Sequence, residues 1–127
     1  MGVVMTPQEI ITQDAERAGQ RPGAVLHGVA VAVDKKKAAL LQDNKSLVVL
    51  EPIGKSKHEY SAHLFTADAP AGLVRSMIAL RNQMRRSTKF KKIYSDSLDQ
   101  KILKLLETAG FNVQKSDKKD FKWMAEV

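Results

Sequence analysis

The sequence predicts an α/β fold in which helices cover both faces of a mixed, mostly antiparallel sheet. Short alternating or valine-rich runs, typical of strands, occur in the first half and at the end of the chain. Residues 58–95 read as a strand, a long amphipathic helix and a second strand, an order that joins parallel strands by a crossover. Because 127 residues are the size of one domain, we expect a single domain over 1–127.

The first element is a helix with a clear start. Thr6 suits the N-cap, Pro7 suits the first helical position, and Glu9 completes a capping box three residues after the cap. We expect a short surface helix that ends near Gly19, because its apolar stripe is thin. The valine-rich run 24–33, bounded by a glycine and a polar turn, predicts a strand.

Three further strands are expected before the middle of the chain. Asp43-Asn44-Lys45 suits a tight reversal, so the apolar runs on either side of it predict a hairpin. The three strands are predicted at 38–42, 47–50 and 58–66.

The second half alternates helices with strands. Asp68-Ala69-Pro70 opens the longest helix, whose leucines and methionines form an apolar face opposite its arginines. The elements expected after it are a strand at 90–95, a helix from Leu98 capped by Asp96-Ser97 and ended by Gly110, and a hairpin of 111–114 with 120–127.

The composition excludes several classes of function. The absence of cysteine excludes disulfide frameworks, thiol catalysis and cysteine-ligated metals, and the histidine spacing indicates no metal site. No apolar run reaches the about 20 residues of a membrane helix, so no membrane partner is expected. Serine-hydrolase, Walker and dinucleotide-binding motifs are also absent from the sequence.

Positive charge is concentrated in one part of the chain. The formal net charge is +7, and no acidic residue lies between Asp68 and Asp96. This interval can be a solvated helix face, a nucleic-acid-binding surface or a contact for an acidic protein. The residues predicted to bind an anion or a partner are Arg81, Arg85, Arg86, Lys89, Lys91 and Lys92.

The order of elements and the segment Asp99–Phe111 resemble the GNAT superfamily of acyl-CoA-dependent N-acetyltransferases. The segment reads Asp-Gln-Lys-Ile-Leu-Lys-Leu-Leu-Glu-Thr-Ala-Gly-Phe and looks like the last helix of the family and its Gly-Phe ending. The resemblance covers the whole chain at the level of element order. It is strongest to small, diverged GNAT-like proteins of short-tailed bacteriophages, some of which are internal virion components. It implies a GNAT-like mixed sheet with a central βαβ crossover.

Positions that perform chemistry in the family differ in this chain. The family's pyrophosphate loop, Gln/Arg-x-x-Gly-x-Gly/Ala, corresponds to 67–73, which has one glycine, a proline without an N–H group and the charge of Asp68. The family's asparagine and tyrosine correspond to Asp99 and Leu106, and leucine cannot protonate a thiolate. These departures imply a catalytically degenerate structural or assembly component of a phage particle, in the host cytoplasm or the virion, with no cofactor.

The alternative is a working acetyl-CoA-dependent N-acetyltransferase with an unknown acceptor. The resemblance then places the pyrophosphate at N–H groups in the first turn of the long helix. The cofactor-binding residues would be Ala71, Gly72, Leu73 and Arg75. Acyl transfer to an amine also needs a base, and the candidates near the strand ends are Glu51, His58, Glu59 and His63, with His63 and Glu59 preferred.

A protein partner or a homo-oligomer is expected at the apolar run 24–33. An edge strand without charge or proline is open to pairing with another chain. The contact would use Val25, Val29, Val31 and Val33, with the basic helix as a second surface. Nucleic acid bound by the basic helix is the second alternative partner.

Overall fold

The computed structural model of the protein describes residues 5–96 and 100–127 as four helices and a six-stranded sheet. The helices are α1 (Pro7–Arg17), α2 (Pro22–Lys35), α3 (Pro70–Ser87) and α4 (Gln100–Thr108). The strands are β1 (Ala39–Asp43), β2 (Ser46–Pro52), β3 (Glu59–Thr66), β4 (Lys92–Ser95), β5 (Asn112–Lys115) and β6 (Trp123–Glu126).

The sheet is mixed, as the sequence predicts. Its strand order is β1-β2-β3-β4-β6-β5, and every neighbouring pair is antiparallel except β3 with β4. The parallel pair confirms the βαβ crossover through α3, since parallel neighbours need a long connection. The predicted hairpins are also confirmed, the first turning at Asn44, whose φ of 53° is the left-handed conformation that asparagine tolerates.

Helix α1 begins as predicted but is less superficial than expected. The Thr6 side chain accepts a hydrogen bond from the Glu9 N–H at 3.2 Å, and the Glu9 side chain accepts one from the Thr6 N–H at 3.1 Å. The apolar stripe, although thin, is buried against the sheet through Ile10, Ile11 and Ala15.

The predicted strand at 24–33 is wrong, since these residues belong to helix α2. Its start has a proline at the first helical position, the same start signal as in α1. Val25, Leu26, Val29 and Ala32 follow helical spacing and pack on one core, a pattern that the strong β propensity of valine obscured. The sheet therefore has three strands before α3.

Two apolar layers lie on opposite faces of the sheet. Alternate residues of the central strand β2 serve each layer: Val48 and Leu50 face α3 and α4, while Leu47 and Val49 face α1 and α2. Helices on both faces are thus confirmed. The last helix ends at Gly110 as predicted, with a φ of +105° that a side chain would strain, whereas the predicted cap at Ser97 and start at Leu98 lie outside the described residues.

Candidate functional site

The parallel strands β3 and β4 separate part of the way along the sheet. Their pairing runs from Glu59 with Lys92 to Ser61 with Tyr94, after which β3 continues to Thr66 paired with β2 but not with β4. An opening therefore lies between the carboxyl ends of the two strands, beside the first turn of α3. Ligands of sheets with parallel strands commonly bind at such ends.

An apolar cleft adjoins this opening on the face covered by α3 and α4. Ala62 and Leu64 of β3, Met77 of α3, and Leu103 and Leu106 of α4 are among its lining residues. Its volume of about 50 Å³ holds only a few water molecules. Leu106, which lines the cleft, is buried in the core and has no proton to donate.

An acidic side chain lies at the first turn of α3. Ala69 is the N-cap residue, and its N–H group donates to Asp68 Oδ1 at 2.8 Å. A Cβ atom added to Gly72 would lie only 2.5 Å from Asp68 Oδ2, so the carboxylate packs directly against this glycine. The negative charge thus occupies the positive end of the helix dipole, where the family resemblance places a pyrophosphate.

The loop that presents Asp68 is held by α1. The guanidinium of Arg17 donates to the Ala67 carbonyl at 2.7 Å and to the Asp68 carbonyl at 3.2 Å. The Asp68 N–H group in turn donates to the Thr66 hydroxyl at 3.0 Å. These bonds fix the loop, and sequence analysis missed Arg17 because it lies some 50 positions before its partners.

The predicted cofactor-binding residues all lie in the first two turns of α3. Ala71 and Arg75 are exposed, Gly72 faces Asp68, and Leu73 is buried in the core with 6% exposure. The structure therefore brings these four together without showing what they bind.

Of the two preferred base candidates, His63 is the accessible one. It is exposed on β3, on the face opposite the apolar cleft, and its ring lies 4.4 Å from that of Phe65. Glu59 lies on the same face, but its carboxylate pairs with Lys118 at 3.2 Å. The other two candidates are also engaged: the Glu51 carboxylate pairs with Lys36 at 3.6 Å, and His58 Nδ1 lies 3.3 Å from the Lys89 carbonyl oxygen.

A buried tyrosine links two carboxylates on this face. The Tyr94 hydroxyl lies 3.0 Å from Glu59 Oε2 and 3.0 Å from Asp117 Oδ1, so its single proton is shared between the two carboxylates. Burial and these bonds raise the pKa of Tyr94, whereas the tyrosine bond lowers the pKa of Glu59 and that of Asp117. Tyr94 therefore stays neutral and both carboxylates stay ionised near pH 7, which makes Glu59 a poor base. Sequence analysis missed this cluster.

The six predicted anion-binding residues separate into two groups. The Arg81 guanidinium packs against Gly110, where an added Cβ would lie 3.0 Å from Nη1, and its buried Nε has no hydrogen-bond partner among the described residues. The others lie at the far end of α3 and beyond it: Arg85, Arg86, Lys89 and Lys91 are exposed, and Lys92 is half-buried.

Neither a metal site nor a membrane-spanning helix occurs within the described part of the chain. Residues 5–96 and 100–127 contain no group of three or more histidine, aspartate or glutamate side chains that could hold a metal ion. None of the four helices is both long and apolar enough to cross a membrane.

The sequence matches no protein-family model and no curated protein sequence. Solved structures do match. A domain from Methanocaldococcus jannaschii has a TM-score of 0.55 at 13% identity, covering 98% of this chain and 95% of that one. The Campylobacter jejuni N-acetyltransferase PseH, in complex with acetyl coenzyme A, has a TM-score of 0.53 at 16% identity, covering 97% and 92%.

A third match, the GNAT domain of S. lividans PAT, has a TM-score of 0.48 at 14% identity. The match covers 67% of this chain but only 55% of the longer PAT chain. At such identities the similarity concerns the fold alone. The chain has the GNAT-like α/β fold that its sequence predicts, with four helices and a mostly antiparallel, open sheet of six strands in the part described.

Proposed function

We propose that the protein is an acetyl-CoA-dependent N-acetyltransferase. The opening between β3 and β4 supports this proposal most directly, because it adjoins an apolar cleft lined by Ala62 and Leu64 of β3 and by Leu103 of α4. The similar fold of PseH, an N-acetyltransferase whose structure contains acetyl coenzyme A, is consistent with it.

Most residues at the opening suit parts of the cofactor, whereas one, Asp68, opposes its charge. Apolar side chains such as Ala62, Leu64 and Leu103 suit the pantetheine arm, and the N–H groups at Ala71, Gly72 and Leu73 could face its phosphates with Arg75 nearby. Asp68 opposes the phosphate charge, so weak binding is expected. When bound, acetyl-CoA would supply a thioester: a neutral amine forms a C–N bond to its carbonyl carbon, the C–S bond breaks, and coenzyme A leaves as a thiol once the thiolate takes up the proton that the nitrogen loses.

His63 is the residue to which we assign proton removal from the acceptor amine. Its imidazole is exposed on β3, beyond the last residue that pairs with β4, and histidine is the side chain that enzymes use most often as a general base. Glu59 is excluded from this role by its bonds to Tyr94 and Lys118.

Titration calorimetry with acetyl-CoA tests the proposal. We expect stoichiometric binding that Leu64→Arg, which places charge in the apolar cleft, abolishes. With a panel of polyamines and lysine peptides, His63→Gln should reduce acetyl transfer by about 100-fold while leaving the affinity for acetyl-CoA unchanged. Absence of binding to the unmodified chain would refute the proposal.

Two observations favour a second candidate, a catalytically degenerate component of a phage particle. The Asp68 carboxylate lies at the helix end expected for phosphate, and the position of the family's tyrosine is a buried leucine, Leu106. Under this candidate the chain binds no acetyl-CoA, occurs in the virion or the host cytoplasm and contacts other phage proteins. Detection of the chain in purified particles, together with no calorimetric signal, would favour this candidate over the enzyme.

A further inference from the structure

Two loops that are distant in sequence meet at the end of the molecule opposite Asp68. The Lys91 N–H group donates to the His58 carbonyl at 3.1 Å, and His58 Nδ1 lies 3.3 Å from the Lys89 carbonyl oxygen. These contacts bring the loop between β2 and β3, with its exposed Lys55 and Lys57, beside the turn from α3 to β4. The lysines of both loops therefore share one surface.

A cleft of about 420 Å³ lies on this surface. Its cationic lining residues are Arg85 at the end of α3 and Lys91 and Lys92 at the start of β4, and Glu126 is the one acidic residue among those that line it. Buried apolar side chains, including Phe90, form the floor. We call the surface formed by Arg85, Arg86, Lys89, Lys91 and Lys92 the basic end.

Within the described part of the chain, the ion pairs join Lys36 to Glu51 and Lys118 to Glu59, and neither includes a cation of the basic end. Lys92 is nevertheless partly compensated, since it pairs with Glu126 across the sheet and interacts electrostatically with Asp117. Stabilisation of the α3 carboxyl end explains Arg85 and Arg86, which lie in its last turn. It does not explain three lysines that follow the helix. The cations of the cleft outnumber its single acidic side chain, Glu126, and this excess of positive charge favours an anionic partner.

We propose that the basic end binds the phosphate backbone of double-stranded DNA without reading its sequence. The cations extend beyond the single cleft, as an extended polyanion requires and a small phosphate ligand does not. Single-strand binding relies on exposed aromatic rings, whereas Phe90 is only 6% exposed and its ring packs edge-on to Tyr60 at 4.7 Å. The contacts are therefore with phosphates.

Fluorescence anisotropy with a labelled duplex of arbitrary sequence tests this proposal. For about four phosphate contacts, the affinity should fall about 100-fold between 50 and 200 mM salt, and it should not depend on base sequence. No binding at 50 mM salt would overturn the proposal, as would equal affinity for a polyglutamate peptide of the same charge.

The double variant Arg85→Gln with Lys91→Gln should weaken binding about tenfold and reduce the salt slope by about 2. The matched control, Lys104→Gln with Lys115→Gln, removes the same charge from exposed positions on α4 and β5 and should change the affinity by less than about threefold. An equal effect of both variants would show that the duplex is attracted by the net charge of the protein alone, and it would overturn the assignment of binding to the basic end. Circular dichroism spectra verify that each variant is folded.

Discussion

A single carboxylate, that of Asp68, opposes the phosphate binding that we propose at the first turn of α3. Neutralising it should raise the affinity for acetyl-CoA, because the phosphates would then meet the α3 amino end without an opposing charge. We expect Asp68→Asn, which retains the oxygen that accepts from Ala69, to tighten binding about threefold to fivefold in calorimetry. Glu107→Gln, an exposed change of equal charge on α4, is the control. Unchanged or weaker binding by Asp68→Asn contradicts the assigned role.

A second prediction at this scale concerns Tyr94. Tyr94→Phe should lower the free energy of unfolding by about 1 kcal/mol, because two carboxylates lose their donor. Tyr60→Phe, at another tyrosine of the sheet whose ring packs on Phe90, should cost less. Urea unfolding at neutral pH measures both changes. Equal losses would show that the hydroxyl bonds at Tyr94 contribute nothing.

The cluster of Tyr94, Glu59 and Asp117 makes the free energy of unfolding depend on pH. The folded-state pKa values of Glu59 and Asp117 lie below their ordinary values of 4.5 and 3.8, so their stabilisation is present above those values and is lost as pH falls through the lower, folded-state ones. Tyr94→Phe raises the folded-state pKa values toward the ordinary ones. Urea unfolding from about pH 6 to about pH 2 should therefore show a smaller decrease in stability for the variant than for the unmodified chain. Parallel curves contradict this linkage.

At the scale of elements, the sequence predicted the caps and turns that are determined by residues close together in the chain. The α1 capping box, the turn at Asn44 and the α4 end at Gly110 each depend on residues within a few positions, and each was confirmed. Helix α2 was mispredicted because Val25–Val33 satisfies both a strand propensity and a helical spacing, and only packing on the α1 layer decides between them. Contacts such as Arg17 with the Ala67 carbonyl were unpredictable, since they depend on the assembled fold.

Gly28 tests the assignment of α2 directly. It lies in the exposed middle of the helix, and a Cβ atom added there would meet nothing within 4 Å. Gly28→Ala should therefore stabilise the protein by up to about 1 kcal/mol and raise the melting temperature by several degrees. Gly23→Ala, in the first helical turn, should have a smaller effect. A loss of stability in Gly28→Ala would indicate that this segment is not helical.

At the scale of the whole molecule, α2 leaves apolar surface uncovered even though it is not the predicted edge strand. Val33 is 40% exposed, and Leu40 of the edge strand β1 is 39% exposed and pairs with Val49, which belongs to the layer of α1 and α2. We therefore place the predicted contact with a second copy of the chain at these two residues. Val29 no longer serves as a test site, because it packs on the core of the α1 layer.

We predict concentration-dependent self-association through the surface that contains Val33 and Leu40. Val33→Lys should abolish it, since a charged side chain would be desolvated in the contact. Ile78→Lys is the matched control, because Ile78 is 42% exposed but lies on α3, in the layer on the other face of the sheet. Light scattering over a range of concentrations distinguishes the two variants. A stable monomer at high concentration, or equal effects of the two substitutions, would exclude this surface as the contact, because only Val33 lies within it.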